Sequence, residues 1–116
     1  MSRPNKIREL GANVFDDLPD QTELKNRIKD AVIITASYVD ITPDIIDAAP
    51  NLKYIVVPGV GYEWVDVEYA SEKGITTLNC PTFNSQAVAE HAMTLLMAAN
   101  RNLITGVDEL RNGKWN

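Results

Sequence analysis

The sequence predicts an α/β fold built on a parallel sheet. Short β-branched runs recur at intervals of about 20 residues, with a helix-patterned segment between each pair. The three sharpest turns, over residues 35–38, 58–62 and 79–84, each follow the carboxyl end of such a run. In open α/β sheets that edge is where ligands sit.

Residues 1–11 are polar and fit either a short helix over residues 5–10 or a frayed end. Residues 12–15 are a candidate first strand, and Asp16 with Asp17 forms a solvated turn behind it. Asp20, with Glu23 three residues on, has the pattern of a capping box and opens a helix to about Lys29. Residues 31–36 form the next apolar strand. Thr42, Pro43 and Asp44 supply an N-cap, a proline at the first helical position and an early acid. The helix they start is expected to end before Pro50.

Residues 54–57, Tyr-Ile-Val-Val, read as a strand buried on both faces. Pro58 cannot donate to a ladder and stops it. Gly59 and Gly61 then bracket Val60, which lets the backbone turn tightly and approach a ligand closely. A helix follows over residues 65–73 with Gly74 as its C-cap, and residues 75–80 make the last strand. A strand, a glycine turn and a helix form a socket whose free N–H groups suit a small anion. The run is Gly59-x-Gly61-x-x-Trp64, with an indole where a dinucleotide fingerprint needs its third glycine for close helix–strand packing. A Rossmann phosphate turn is therefore rejected. A carboxylate-sized site remains, with a structural βα turn that binds nothing as the competing reading.

Beyond Pro81 the pattern changes. Asn84 or Ser85 caps a long helix expected to reach Leu103. Val88, Ala92, Leu95, Leu96, Ala99 and Leu103 lie along one face, and Met93 with Met97 lies nearly opposite. A helix apolar on two sides calls for two coverings. Residues 104–116 read as a polar tail.

Composition limits the function classes. A chain of 116 residues can bury a core without staples. Its net charge of −5, with eleven scattered basic residues, argues against nucleic acid and anionic membrane partners. The one cysteine, Cys80, excludes an intrachain disulfide and a cysteine metal cluster, and no metal site is expected. No apolar run reaches the roughly 18 residues that suggest a membrane span, and no secretory leader is visible, so a cytoplasmic protein is expected.

Few side chains offer catalysis. His91 is the one histidine, and its neighbour Glu90 points off another part of the helix and cannot orient it, so a helix-surface role is expected. Asp16 and Asp17 lack the later aspartate a phospho-accepting receiver needs, since Pro58-Gly59 stands there. Cys80 reads as a small apolar filler with no histidine to activate it. Thr35 and Ser37 are candidate pocket hydroxyls.

Four stretches taken together resemble one family. They are Ala-Pro-Asn-Leu-Lys-Tyr-Ile at residues 49–55, Gly-Val-Gly-Tyr-Glu-Trp-Val-Asp at 59–66, Ala-Ser-Glu-Lys-Gly-Ile at 70–75 and Asn-Ser-Gln-Ala-Val-Ala-Glu-His at 84–91. In that order they resemble the N-terminal part of the D-isomer-specific 2-hydroxyacid dehydrogenases, which include formate and phosphoglycerate dehydrogenases. The run at 84–91 is close to the formate dehydrogenase version.

The resemblance implies a flavodoxin-like substrate domain over residues 1–83 and, after a hinge near Pro81, the first helix and arm of a nucleotide-binding domain over 84–116. It implies that the N–H groups of Val60 and Gly61 hold the substrate carboxylate, with Thr35, Ser37 and Asn84 around it. Ser85 and Val88 would lie beside the nicotinamide of NAD or NADP. The departures carry equal weight. Residues 1–7 do not supply the family's first strand, and Glu63 stands where the family usually has aspartate. The family's Gly-rich phosphate turn and its catalytic Arg, Glu and His follow the equivalent of Asn116, so His91 is not that histidine.

Two function classes follow. One is the substrate-domain portion of an NAD(P)-dependent D-2-hydroxyacid dehydrogenase, inactive by itself and associating with its own copies through the helix at 85–103. The other is a non-enzymatic small-carboxylate-binding or partner-binding module. A Gly-rich turn encoded beyond Asn116 separates the first from the second.

Overall fold

The computed structural model describes residues 3–115. Its elements are α1 (Arg3–Glu9), α2 (Gln21–Ile28), β1 (Ile33–Thr35), α3 (Pro43–Asp47), β2 (Tyr54–Val56), α4 (Val67–Glu72), β3 (Thr76–Leu78), α5 (Ser85–Asn100) and α6 (Leu103–Arg111). They fall into two compact units, one up to Asn79 and one from Cys80.

In the first unit the three strands form a parallel sheet in the order β1-β2-β3, with Ile34, Ile55 and Thr77 in register. The α/β class with a parallel sheet is as expected. Ile34, Ile55 and Val57 gather with Ile41, Ile45, Ile46, Leu52, Val65 and Ala70 into one core. Two successive crossovers of one hand, moving the same way across a sheet, lay both of their helices on one face. α3 and α4 therefore cover the Ile34–Ile55 side.

This corrects the expectation that residues 54–57 are buried on both faces. Ile55 is 0% exposed, but Tyr54 is 42% exposed on the opposite face. Ile33 and Leu78 share that open face by register, and both are exposed.

Residues 12–15 are not a strand, a second correction. With the family's first strand missing from residues 1–7, residues 12–15 would take the place of its second, which in a flavodoxin-like order pairs only with the first. Here the chain from Arg3 to Glu9 is helical, so residues 12–15 have no ladder to join. Phe15 instead lies under the Arg27 guanidinium, 4.2 Å from its ring centroid. That guanidinium takes Asp17 in a fork of 2.9 and 2.7 Å and also bonds Glu23. The turn at Asp16–Asp17 is solvated as expected, both side chains being mostly exposed, and the Arg27 hydrogen bonds in addition hold Asp17 below the usual carboxylate range.

Local signals survive well. The Asp20 carboxylate accepts the Glu23 N–H at 2.8 Å and caps α2, although Glu23 turns to Arg27 rather than completing the box. Thr42 is the N-cap of α3 with Pro43 first in the helix, but its hydroxyl makes no capping bond. Gly74 takes φ 75° just past α4, the left-handed position that favours glycine.

The second unit is a helical pair. The long helix stops at Asn100 rather than reaching Leu103, because Asn102 adopts a left-handed φ of 49°. The expected polar tail is corrected to α6, with Leu103, Ile104, Val107 and Leu110 on helical spacing. None of the side chains of α5 or α6 is buried. Cys80 is exposed, so it is not the apolar filler expected. Among the described residues no helix is long and apolar enough to cross a membrane.

Candidate functional site: a turn of free amides at the sheet edge

The ladder between β2 and β3 runs one bond past β2, with the Val57 N–H donating to the Leu78 carbonyl at 2.8 Å. Pro58 ends it, and the chain then crosses the carboxyl edge of the sheet. Residues 62–66 are pinned on the far side. The Ile41 N–H donates to the Trp64 carbonyl at 2.7 Å, the Asp66 N–H donates to the Ile41 carbonyl at 3.1 Å, and the Val65 N–H closes a turn onto Tyr62.

Between these anchors the backbone donors are free. Among the described residues, none of the N–H groups of Gly59, Val60, Gly61, Tyr62 and Glu63 finds an acceptor in the chain. A row of unsatisfied N–H groups on a turn is a concavity suited to an anion. Gly61 is half-buried and Val60 is 43% exposed, so the row is open to solvent.

Two details differ from the expected socket. Neither Gly59 nor Gly61 adopts a left-handed φ, so the turn does not need glycine for its torsions. Close approach does not demand glycine either: a Cβ on Gly61 would stand 2.5 Å from the Glu63 carboxylate, the far end of an exposed side chain that can swing aside, and one on Gly59 would meet nothing within 4 Å. The helix is also not part of the donor set. α4 begins at Val67 rather than Val65, and the carboxylate of its N-cap, Asp66, already accepts the Tyr69 N–H at 3.0 Å.

Thr35 and Ser37 lie at the same edge, Thr35 ending β1 and Ser37 two residues on, and both are exposed. In the second unit Asn84 is the N-cap of α5 without a side-chain capping bond, and Ser85 and Val88 belong to the first turn of that helix. Val88 is 58% exposed. His91 is exposed on α5, as expected, while Glu90 bonds Gln86 rather than His91.

Asn79 was not singled out by sequence reasoning. Its carboxamide donates to the Val60 carbonyl at 2.8 Å, tying β3 to the turn. Nearby, a depression of about 290 Å³ is lined by Asp40, Thr42, Glu63, Trp64 and Asp66 among others. Its three carboxylates, Asp40, Glu63 and Asp66, make it hostile to anions. Among the described residues no cluster of metal-ligating side chains occurs.

The profile of the family described as "D-isomer specific 2-hydroxyacid dehydrogenase, catalytic domain" matches residues 3–110. The chain is 44% identical over 94 residues to D-3-phosphoglycerate dehydrogenase of Methanocaldococcus jannaschii, covering 80% of this chain and 18% of that protein. An acyclic imino acid reductase solved with NADPH and D-Arg superposes with a TM-score of 0.81 at 34% identity, covering 97% of this chain and 37% of that one. NAD-dependent formate dehydrogenase of Staphylococcus aureus, solved with NAD, gives 0.69 at 30% identity, covering 97% and 35%. The chain therefore spans well under half the length of these relatives. With its parallel βα architecture and a match over nearly all its length, the chain belongs to the D-isomer-specific 2-hydroxyacid dehydrogenase family.

Proposed function

We propose that this chain is the substrate-domain portion, with the first helix and arm of the cofactor domain, of a cytoplasmic NAD(P)-dependent D-2-hydroxyacid dehydrogenase. The carrying observation is the row of unpartnered N–H groups at residues 59–63, centred on Val60 and Gly61. Those two amides hold the substrate carboxylate, and Thr35 and Ser37 line its pocket. By the family resemblance, Asn84 is a further candidate substrate contact, and Ser85 and Val88 are the candidate nicotinamide contacts. When bound, the nicotinamide supplies the hydride acceptor or donor, while this chain's residues bind and orient the acid.

The residues present suit only the nicotinamide end of the cofactor. They include no Gly-rich phosphate turn, since Trp64 fills the third glycine position of the one candidate. The isolated chain accordingly neither holds NAD tightly nor turns over substrate. The exposed apolar side chains of α5 fit association with a second copy, so a homo-oligomer through residues 85–103 belongs to the same reading.

Titration with pyruvate, glyoxylate or formate, followed by amide NMR, tests the site. Binding in the millimolar range, about −4 kcal/mol, is expected of a site this open. The amides of residues 59–62 should shift. Shifts confined to other residues exclude the site and leave a fold that binds its partners elsewhere.

A further inference from the structure

We infer that Asn79 is a positioning residue for the carboxylate site, acting through the Val60–Gly61 peptide. The inference rests on the reading of residues 59–63 as that site. A trans peptide carries its C=O and the following N–H on opposite sides, and no cis bond occurs among the described residues. Whatever holds the Val60 carbonyl therefore aims the Gly61 N–H the other way. The Asn79 carboxamide holds that carbonyl at 2.8 Å.

The sheet explains why the side chain reaches. Val56 is in register with Leu78, and the Val57 N–H donates to the Leu78 carbonyl, so Asn79 follows the last rung of the ladder. The turn brings Val60 back over that rung. Asn79 is half-buried, and its carboxamide is the one side chain among the described residues that bonds the backbone of residues 58–62. Without it, the peptide has more freedom to rotate on its Gly61 side, since Gly61 carries no Cβ to restrict it. The Gly61 donor would then sample directions away from the ligand, and the loss of preorganisation appears as affinity.

The test uses the full 116-residue chain with Asn79→Leu, which keeps the bulk and removes the donor, and Asn79→Ala as the second variant. Two quantities are read: the affinity for glyoxylate and the residual dipolar coupling of the Gly61 N–H, which reports its direction without any ligand. The expected result is about tenfold weaker glyoxylate binding, a changed Gly61 coupling, and an unmoved thermal midpoint. Wild-type binding that persists unchanged in both variants overturns the role of Asn79 alone. A wild-type chain that shows no glyoxylate shift at residues 59–62 overturns the site itself, and this inference with it. Loss of shift dispersion across the first unit in both variants makes Asn79 a structural residue and also overturns the inference.

Discussion

The Tyr38 ring lies 5.4 Å from Trp64, centroid to centroid and tilted by 35°, and Tyr38 takes a left-handed φ of 58° in doing so. A left-handed torsion costs a non-glycine residue roughly 1–2 kcal/mol, and an aromatic pair returns about 0.5–1.5 kcal/mol. The two nearly cancel. Tyr38→Ala keeps the torsion and loses the pair, and should cost about 1 kcal/mol. Tyr38→Gly loses the pair but sheds the torsional cost, and should be close to neutral. Urea unfolding should therefore rank glycine above alanine, the reverse of the usual order in an unstrained loop.

The sheet's two faces should respond unequally to the same change. Ile55 is 0% exposed at the centre of the core, and Ile33 is 58% exposed on the open face. Ile55→Val removes a buried methylene and should cost about 0.5–1.5 kcal/mol. Ile33→Val leaves the strand propensity intact and should fall within about 0.5 kcal/mol of zero. Equal costs in denaturant unfolding would show that the open face is covered in solution.

Features set by neighbours in sequence were legible from it. Asp20, the Thr42-Pro43 helix start and Gly74 depend on backbone needs a few residues away, and the structure bears each of them out. Residues 12–15 could not be judged alone, because an extended run becomes a strand only where a partner lies beside it. The apolar run at 54–57 told of a strand but not of one-sided cover, which depends on how the crossovers lie. Asn79 bonds Val60 across 19 positions and Asp17 meets Arg27 across 10, separations at which no local pattern operates. α6 is different. Leu103, Ile104, Val107 and Leu110 had helical spacing throughout, and Gly106 in their midst disguised it.

Acid should weaken the α3–α4 junction in a defined window. Asp47 accepts from Lys73 at 2.6 Å and from the Tyr69 hydroxyl at 2.8 Å. The Lys73 bond, more than the Tyr69 bond, holds its carboxyl below the ordinary value of 3.8. A carboxylate depressed in the folded state contributes stability above its unfolded pKa and loses it as pH falls through the folded pKa. The wild-type advantage over Asp47→Asn in thermal midpoint should thus be full at neutral pH and shrink below about pH 4. Both partners are about half exposed, so the advantage should also fall with added salt. A constant difference from pH 7 to pH 2 would assign it to packing.

Glu63 sets an electrostatic limit on the turn. Its carboxylate lies against the α-carbon of Gly61, beside the free amides. A like charge some 4–5 Å from a bound anion opposes it by about 1 kcal/mol in a water-like medium, and salt screens part of that. Glu63→Gln should therefore tighten glyoxylate binding about two- to fivefold, with the gain shrinking in high salt. Weaker binding by the glutamine variant would mean that Glu63 orders the turn and that its charge is secondary.

The last prediction concerns α5. Val88, Met93, Leu95, Leu96 and Met97 are each between 57% and 60% exposed. Burying one such side chain fully contributes about 1.5–3 kcal/mol, so several left half in water give exposed apolar surface of the kind that marks an association site. Val88, Leu95 and Leu96 lie on one face and Met93 with Met97 nearly opposite. The methionine face also has a shape. Met93, Met97, Arg101 and Leu103 line a groove of about 480 Å³ with Thr94 and Ala98. A two-fold dimer would set the same surface against itself, covering both copies at once. Sedimentation should show a dimer or a larger species, and Leu96→Glu should shift it toward monomer, because a carboxylate buried at such a contact must be desolvated without a partner. A variant that sediments like the wild type at every concentration would remove residue 96 from the interface, and a wild-type monomer at high concentration would remove the interface altogether.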